Sequence, residues 1–77
     1  MSMTAIQGVT PHSPAWRAGV QRGEILTHIN GHPVVDVLDY KFYSYDPRLE
    51  LTLKSPEGTA RTLRVRKSEG EYLGLEF

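Results

Sequence analysis

Three groups of side chains in this sequence have types that could do chemistry. His12 stands directly before Ser13, a pairing that in a hydrolase would let an imidazole take the proton of a nucleophilic hydroxyl. His28 and His32 stand four apart, the spacing that on a helix would aim both imidazoles at one metal ion. Arg61, Arg64, Arg66 and Lys67 form a basic row of the kind that meets phosphates. Each reading fails on its surroundings. Ser13 precedes Pro14 and is wanted as a helix cap, no G-x-S-x-G elbow exists, and a chain of 77 residues offers little cleft, so no catalytic residue is assigned. The two histidines flank a strand and the Asn30-Gly31 turn, with no third ligand, so neither a metal nor any other cofactor is expected. Lys plus Arg number 9 and Asp plus Glu number 9, leaving no net field toward nucleic acid or an anionic membrane. The basic row therefore reads as the solvated face of a hairpin, guarding an edge.

A different feature closes the sequence. The last seven residues read EYLGLEF, with Gly74 held between Leu73 and Leu75 and an apolar Phe77 at the end. Taken alone, this is a glycine turn leading into a last strand.

The elements that would position these residues belong to one domain, 1–77, with residues 1–4 expected to be disordered. A chain this short removes only about 60% of its unfolded surface from water, so the core is thin. It contains no cysteine to staple that core and gives no sign of an oxidising compartment. The start, MSMTAIQG, lacks the basic and apolar regions of a secretory signal, and no run approaches the ~18 apolar residues of a membrane span, so a cytoplasmic location is expected.

Ala5 to Val9 reads as a short strand stopped by Pro11, and Ser13-Pro14-Ala15-Trp16-Arg17-Ala18-Gly19 as a short helix with serine cap and glycine stop. Ile25 to Asn30 is a strand ending in the Asn30-Gly31 turn. Asp36 caps a longer helix, VLDYKFYSY, which Asp46-Pro47 ends. Leu38, Phe42 and Tyr45 fall on one helical stripe and are expected to face the core. Tyr40 and Tyr43 fall off that stripe, and exposed together they would offer an interaction face. Leu49 to Lys54 and Thr62 to Arg66 alternate strictly around Ser55-Pro56-Glu57-Gly58, predicting a hairpin with Leu49, Leu51 and Leu53 against Leu63 and Val65.

The stretch Val9 to Val34 resembles the core signature of PDZ domains, particularly bacterial ones. Ser13-Pro14-Ala15, Ala18-Gly19, Gly23-Glu24 and Ile29-Asn30-Gly31 stand at that family's spacing, with Glu24 in place of the usual aspartate. The resemblance implies an α+β fold: a small, partly open antiparallel β-barrel or sandwich of five to six strands flanked by two helices. It also implies a peptide-binding groove and a carboxylate-binding loop of pattern x-Φ-G-Φ, with Φ apolar. Tyr72-Leu73-Gly74-Leu75 fits that loop, but at the C-terminal end, which implies a circularly permuted order. The segments DVLDYKFY and LGLEF also look like the N-terminal PDZ-like module of an uncharacterised family of bacterial radical-SAM iron-sulphur proteins.

By that resemblance the function is non-catalytic: an extended, apolar C-terminal peptide of a protein partner adds as a strand along Leu75, Glu76 and Phe77. Its carboxylate would sit on amides around Leu73, Gly74 and Leu75, which curl about a glycine into an anion-binding nest. The groove helix would present either Val37 and Lys41 or Leu38 and Phe42. Arg66 or Lys67 would lie near enough to attract the carboxylate. No partner of nucleic acid or membrane is expected, and the alternative partner is the remainder of a parent chain, on which the domain would be an appendage or recruit substrate. A monomer is expected, with docking of the Phe77 tail into a neighbour as the route to self-association.

Overall fold

The computed structural model describes residues 4–77 of the protein. Six strands and two helices follow in the order β1 (Gly8–Val9), α1 (Pro14–Ala18), β2 (Ile25–Ile29), β3 (His32–Pro33), α2 (Val37–Tyr43), β4 (Arg48–Lys54), β5 (Ala60–Arg66) and β6 (Leu75–Glu76). They form a four-stranded antiparallel sheet in the order β3-β2-β4-β5 and a two-stranded sheet in which β1 pairs with β6. The architecture is a small antiparallel sheet with two short helices, the coarse layout that the resemblance implies.

Local chemistry accounts for the elements. In α1, Ser13 Oγ accepts from the Trp16 N–H, Pro14 opens the first turn, and Gly19 at φ 97° ends it in the left-handed conformation. In α2, Asp36 and Asp39 exchange side-chain-to-backbone hydrogen bonds in a capping box. That helix is shorter than its apolar sequence suggests, seven residues or about two turns. Asn30 and Gly31, both at positive φ, turn β2 into β3. The β4–β5 register sets Leu49 opposite Val65 and Leu51 opposite Leu63, one dry face of the hairpin.

The core gathers where that face meets β2. Leu26, Ile29, Leu51 and Leu53 are fully buried, each worth roughly 1.5–3 kcal/mol of apolar burial. Thr4, expected to be loose with its neighbours, is instead buried, and its hydroxyl donates to the Leu26 carbonyl at 2.7 Å. Residues 1–3 lie outside the described residues.

Two expectations from the sequence require correction. The stripe Leu38, Phe42 and Tyr45 does not face the core: Leu38 is 72% and Phe42 75% exposed, and Tyr45 is exposed as well. Tyr40 is the buried residue of α2, at 5% exposure, and Tyr43 is half-buried against the core. Two positions along a helix are roughly 200° apart, so burying Tyr40 forces Leu38 and Phe42 outward. Arg61, placed in the solvated row, is engaged. Its Nε and Nη2 donate to the two Glu24 carboxylate oxygens at 2.8 and 2.7 Å, and Nη2 also donates to the Gly19 carbonyl at 2.8 Å.

The Glu24–Arg61 pair locks the turn after α1 onto β5. Burial works against the charged carboxylate of Glu24, but the Arg61 guanidinium and the Gln21 N–H outweigh it and hold its pKa below the ordinary 4.5. A depressed carboxylate contributes stability above its unfolded pKa, and that contribution fades as pH falls through the lower folded value. Arg61→Ala should therefore cost about 1–2 kcal/mol near neutral pH, discounted for the partial exposure of Arg61. Urea denaturation from pH 7 to pH 3 should show the two proteins' stabilities converging below about pH 4.5.

Candidate functional site

The tail stretch Tyr72 to Phe77 lies between α1 and α2. Leu73 O accepts from Ala15 N at 3.0 Å, and Gly74 O accepts from Thr10 N at 2.8 Å. These two bonds bolt the loop to the start of α1 and to the residue after β1. A trans peptide unit carries its C=O and N–H on opposite sides. The Gly74 N–H therefore points away from α1, and the Leu75 N–H points away from β1. The β1–β6 register agrees, since Val9 and Leu75 form the non-hydrogen-bonded pair and Leu75 keeps both backbone groups on the outer side. Among the described residues no protein acceptor takes the N–H of Tyr72, Leu73 or Gly74.

Gly74 adopts φ 106°, which L side chains rarely tolerate, and a β-carbon there would run into Oγ and Cβ of Ser13. Glycine is thus needed twice, for the turn and for contact with the N-cap of α1. Ser13, considered as a nucleophile, is buried and spent on capping and on this contact.

Across the gap stands α2. Tyr40, Lys41 and Ser44 from the helix and Gly70, Tyr72 and Leu73 from the loop line a cavity of about 270 Å³. The Tyr40 ring meets Phe77 edge-on, with centroids 4.8 Å apart. The Tyr40 hydroxyl is buried without a hydrogen-bond partner among the described residues, although the Leu75 N–H lies beside it. Burial pushes the pKa of this phenol up to about 12, opposed only in part by that N–H. The outward Leu75 carbonyl is capped by the Tyr72 hydroxyl, which donates to it at 3.0 Å.

Of the residues expected at the site, Tyr72, Leu73, Gly74 and Leu75 come together as one loop, and Leu75, Glu76 and Phe77 continue from it beside α2. On the helix, Lys41 borders the cavity, whereas Leu38 and Phe42 lie on the far side from Tyr40. Phe42 opens onto a second hollow, with Asn30, His32 and Tyr43, which adjoins the loop cavity at Lys41 and Tyr45. Val37 is half-buried. Tyr40 was missed because a tyrosine off the apolar stripe reads as a surface residue. Its three-residue spacing from both Val37 and Tyr43 was the available signal.

The remaining candidates disperse. His28 Nδ1 lies 3.0 Å from Thr27 Oγ1, His32 stacks on Tyr43 at 4.6 Å, and the His12 ring leans on Trp16. Among the described residues no group of three or more His, Asp or Glu gathers. Arg66 borders a hollow on the β4–β5 face, away from the loop, while Lys67 Nζ donates to the Tyr45 and Ser68 carbonyls behind the Tyr45 and Glu71 edge of the loop cavity without lining it. Phe77 is packed within its own chain.

The PDZ domain family model matches residues 6–67, most of the chain, and the chain belongs to that family of non-catalytic protein-interaction domains. The match ends before Tyr72. The chain is also 48% identical over 31 residues to "Serine protease HTRA3" of Homo sapiens, and equally to that of Rattus norvegicus. Those residues are 40% of this chain and 7% of either protease, so the chain spans a small fraction of these relatives.

Two outcomes follow from the site's construction. Gly74→Ala should destabilise the domain by more than the roughly 1–2 kcal/mol of left-handed strain, because it also displaces Ser13. Gly58→Ala is the reference: its φ is 95°, yet a β-carbon there meets only Lys54 Cε at 3.9 Å. Urea unfolding of both variants should rank Gly74→Ala clearly the less stable.

The second outcome concerns alkali. A raised folded pKa at Tyr40 means stability is fully present below about pH 10 and is lost as pH rises toward about 12. Absorbance titration near 295 nm should resolve one late-titrating tyrosine. In Tyr40→Phe that late step should vanish, and the loss of stability over the same window should shrink.

Proposed function

We propose that this PDZ domain captures an extended, apolar C-terminal peptide of a partner protein. The peptide adds as an antiparallel strand along β6, and its carboxylate rests on the amides of Leu73, Gly74 and Leu75. The observation that carries this reading is the set of loop N–H groups left without a protein acceptor, curled about a left-handed glycine beside α2. Lys41 at the rim adds positive charge, while Glu71 at the same rim opposes it. On this reading the order of elements is circularly permuted, with the carboxylate loop last.

A second reading is favoured by the exposed apolar surface of α2. Leu38 and Phe42 there would suit docking on the remainder of a parent chain, such as the radical-SAM protein whose N-terminal module this sequence resembles. The domain would then be an appendage or would recruit that enzyme's substrate.

Calorimetric titration with acetylated hexapeptides ending in Val, Leu or Phe separates the two. Capture predicts binding that weakens at least tenfold, about 1.4 kcal/mol, when the terminal carboxylate is converted to an amide. No binding at ~1 mM peptide would leave only the docking reading.

A further inference from the structure

We infer that the Tyr40 hydroxyl completes the anion site, donating a hydrogen bond to the same carboxylate that the loop amides hold. The inference rests on the capture reading and names a residue outside the loop that sets its preference for a free C-terminus.

Tyr40 is the one α2 side chain driven into the core, its ring is packed against Phe77, and its hydroxyl is buried with nothing to bond. A phenylalanine would fill the same space without leaving a polar atom unpaired, so the hydroxyl is a cost that packing does not explain. Its neighbour is the Leu75 N–H, turned outward because its peptide unit gives the Gly74 carbonyl to Thr10. The Leu75 N–H leans toward the phenol oxygen, while the hydroxyl proton is left unpaired. The phenol oxygen can receive that N–H, but the hydroxyl proton has no acceptor, and a carboxylate oxygen supplies one.

Chemistry around the corner is consistent with a donor role. The phenol stays protonated through the physiological range, because burial penalises its anion. The nearby Tyr72 hydroxyl gives its proton to the Leu75 carbonyl, on the same outer side of β6, and makes no hydrogen bond to Tyr40. The cavity beside Tyr40 has Lys41 and Glu71 at its rim, charges of opposite sign that leave the selection to the neutral donors.

The test compares the full chain with its Tyr40→Phe variant, using acetylated hexapeptides ending in Val, Leu or Phe, each with a free carboxylate and as the amide. The variant should lose about tenfold in affinity for the carboxylate peptides and keep its affinity for the amides. Its thermal unfolding should occur at or above the temperature of the unaltered chain, since an unpaired hydroxyl has been removed. An equal loss for both peptide forms would assign Tyr40 to packing, and unchanged or tighter carboxylate binding would make the hydroxyl irrelevant or an obstruction. Either result overturns the inference while leaving capture intact. If the unaltered chain binds none of the peptides at ~1 mM, capture itself fails and the inference goes with it.

Discussion

Two carbonyl oxygens decide how the rest of this domain is used. Leu73 gives its carbonyl to the N-terminus of α1 and Gly74 gives its own to Thr10, and neither bond leaves freedom to the N–H that shares its peptide plane. Satisfying the acceptors on one side fixes the donors on the other. The loop thereby presents outward amides without help from any charged side chain. The left-handed Gly74 makes the geometry possible, and its missing β-carbon lets Ser13 close the back. The residues that cap a helix and those that form a candidate anion site are thus joined in one structure.

The scaffold holding that loop is small, and its parts support each other. Leu73 and Leu75 are themselves core residues, so the loop cannot loosen without opening the interior. The Glu24–Arg61 pair fastens the turn after α1 to β5, and α1 in turn carries the loop. In a thin core this coupling replaces bulk: the short strands β1 and β6 would be marginal alone, but they are anchored at each end by α1 and by Tyr40.

Much of the fold was legible in the sequence because short-range rules govern it. The serine cap, the Gly19 stop and the Asn30-Gly31 turn each depend on a few adjacent residues, and strict alternation set the β4–β5 face. The loop itself was legible as Tyr72 to Leu75. What its glycine packs against was not, because the contact with Ser13 spans some sixty positions and leaves no local pattern. The face of α2 was misread for a related reason. Apolar periodicity measures which stripe is greasiest, and on a two-turn helix the greasiest stripe, Leu38 and Phe42, is the one left outside.

That inversion bears on how the domain divides its surfaces. A helix that turns its polar-tipped tyrosine inward and its leucine and phenylalanine outward forgoes the burial those two residues would have contributed, roughly 1.5–3 kcal/mol each. The inward choice brings a neutral hydroxyl beside the outward amide of Leu75, where an apolar side chain could only have filled space. The outward choice leaves apolar surface on the opposite side of the same helix, away from the loop. One seven-residue element therefore carries two kinds of surface, polar-tipped toward β6 and apolar on the opposite side. Tyr40 and the Leu38–Phe42 pair stand about 160° apart around the helix, and the hollows on the two sides meet at Lys41 and Tyr45, where occupants of both would come into contact.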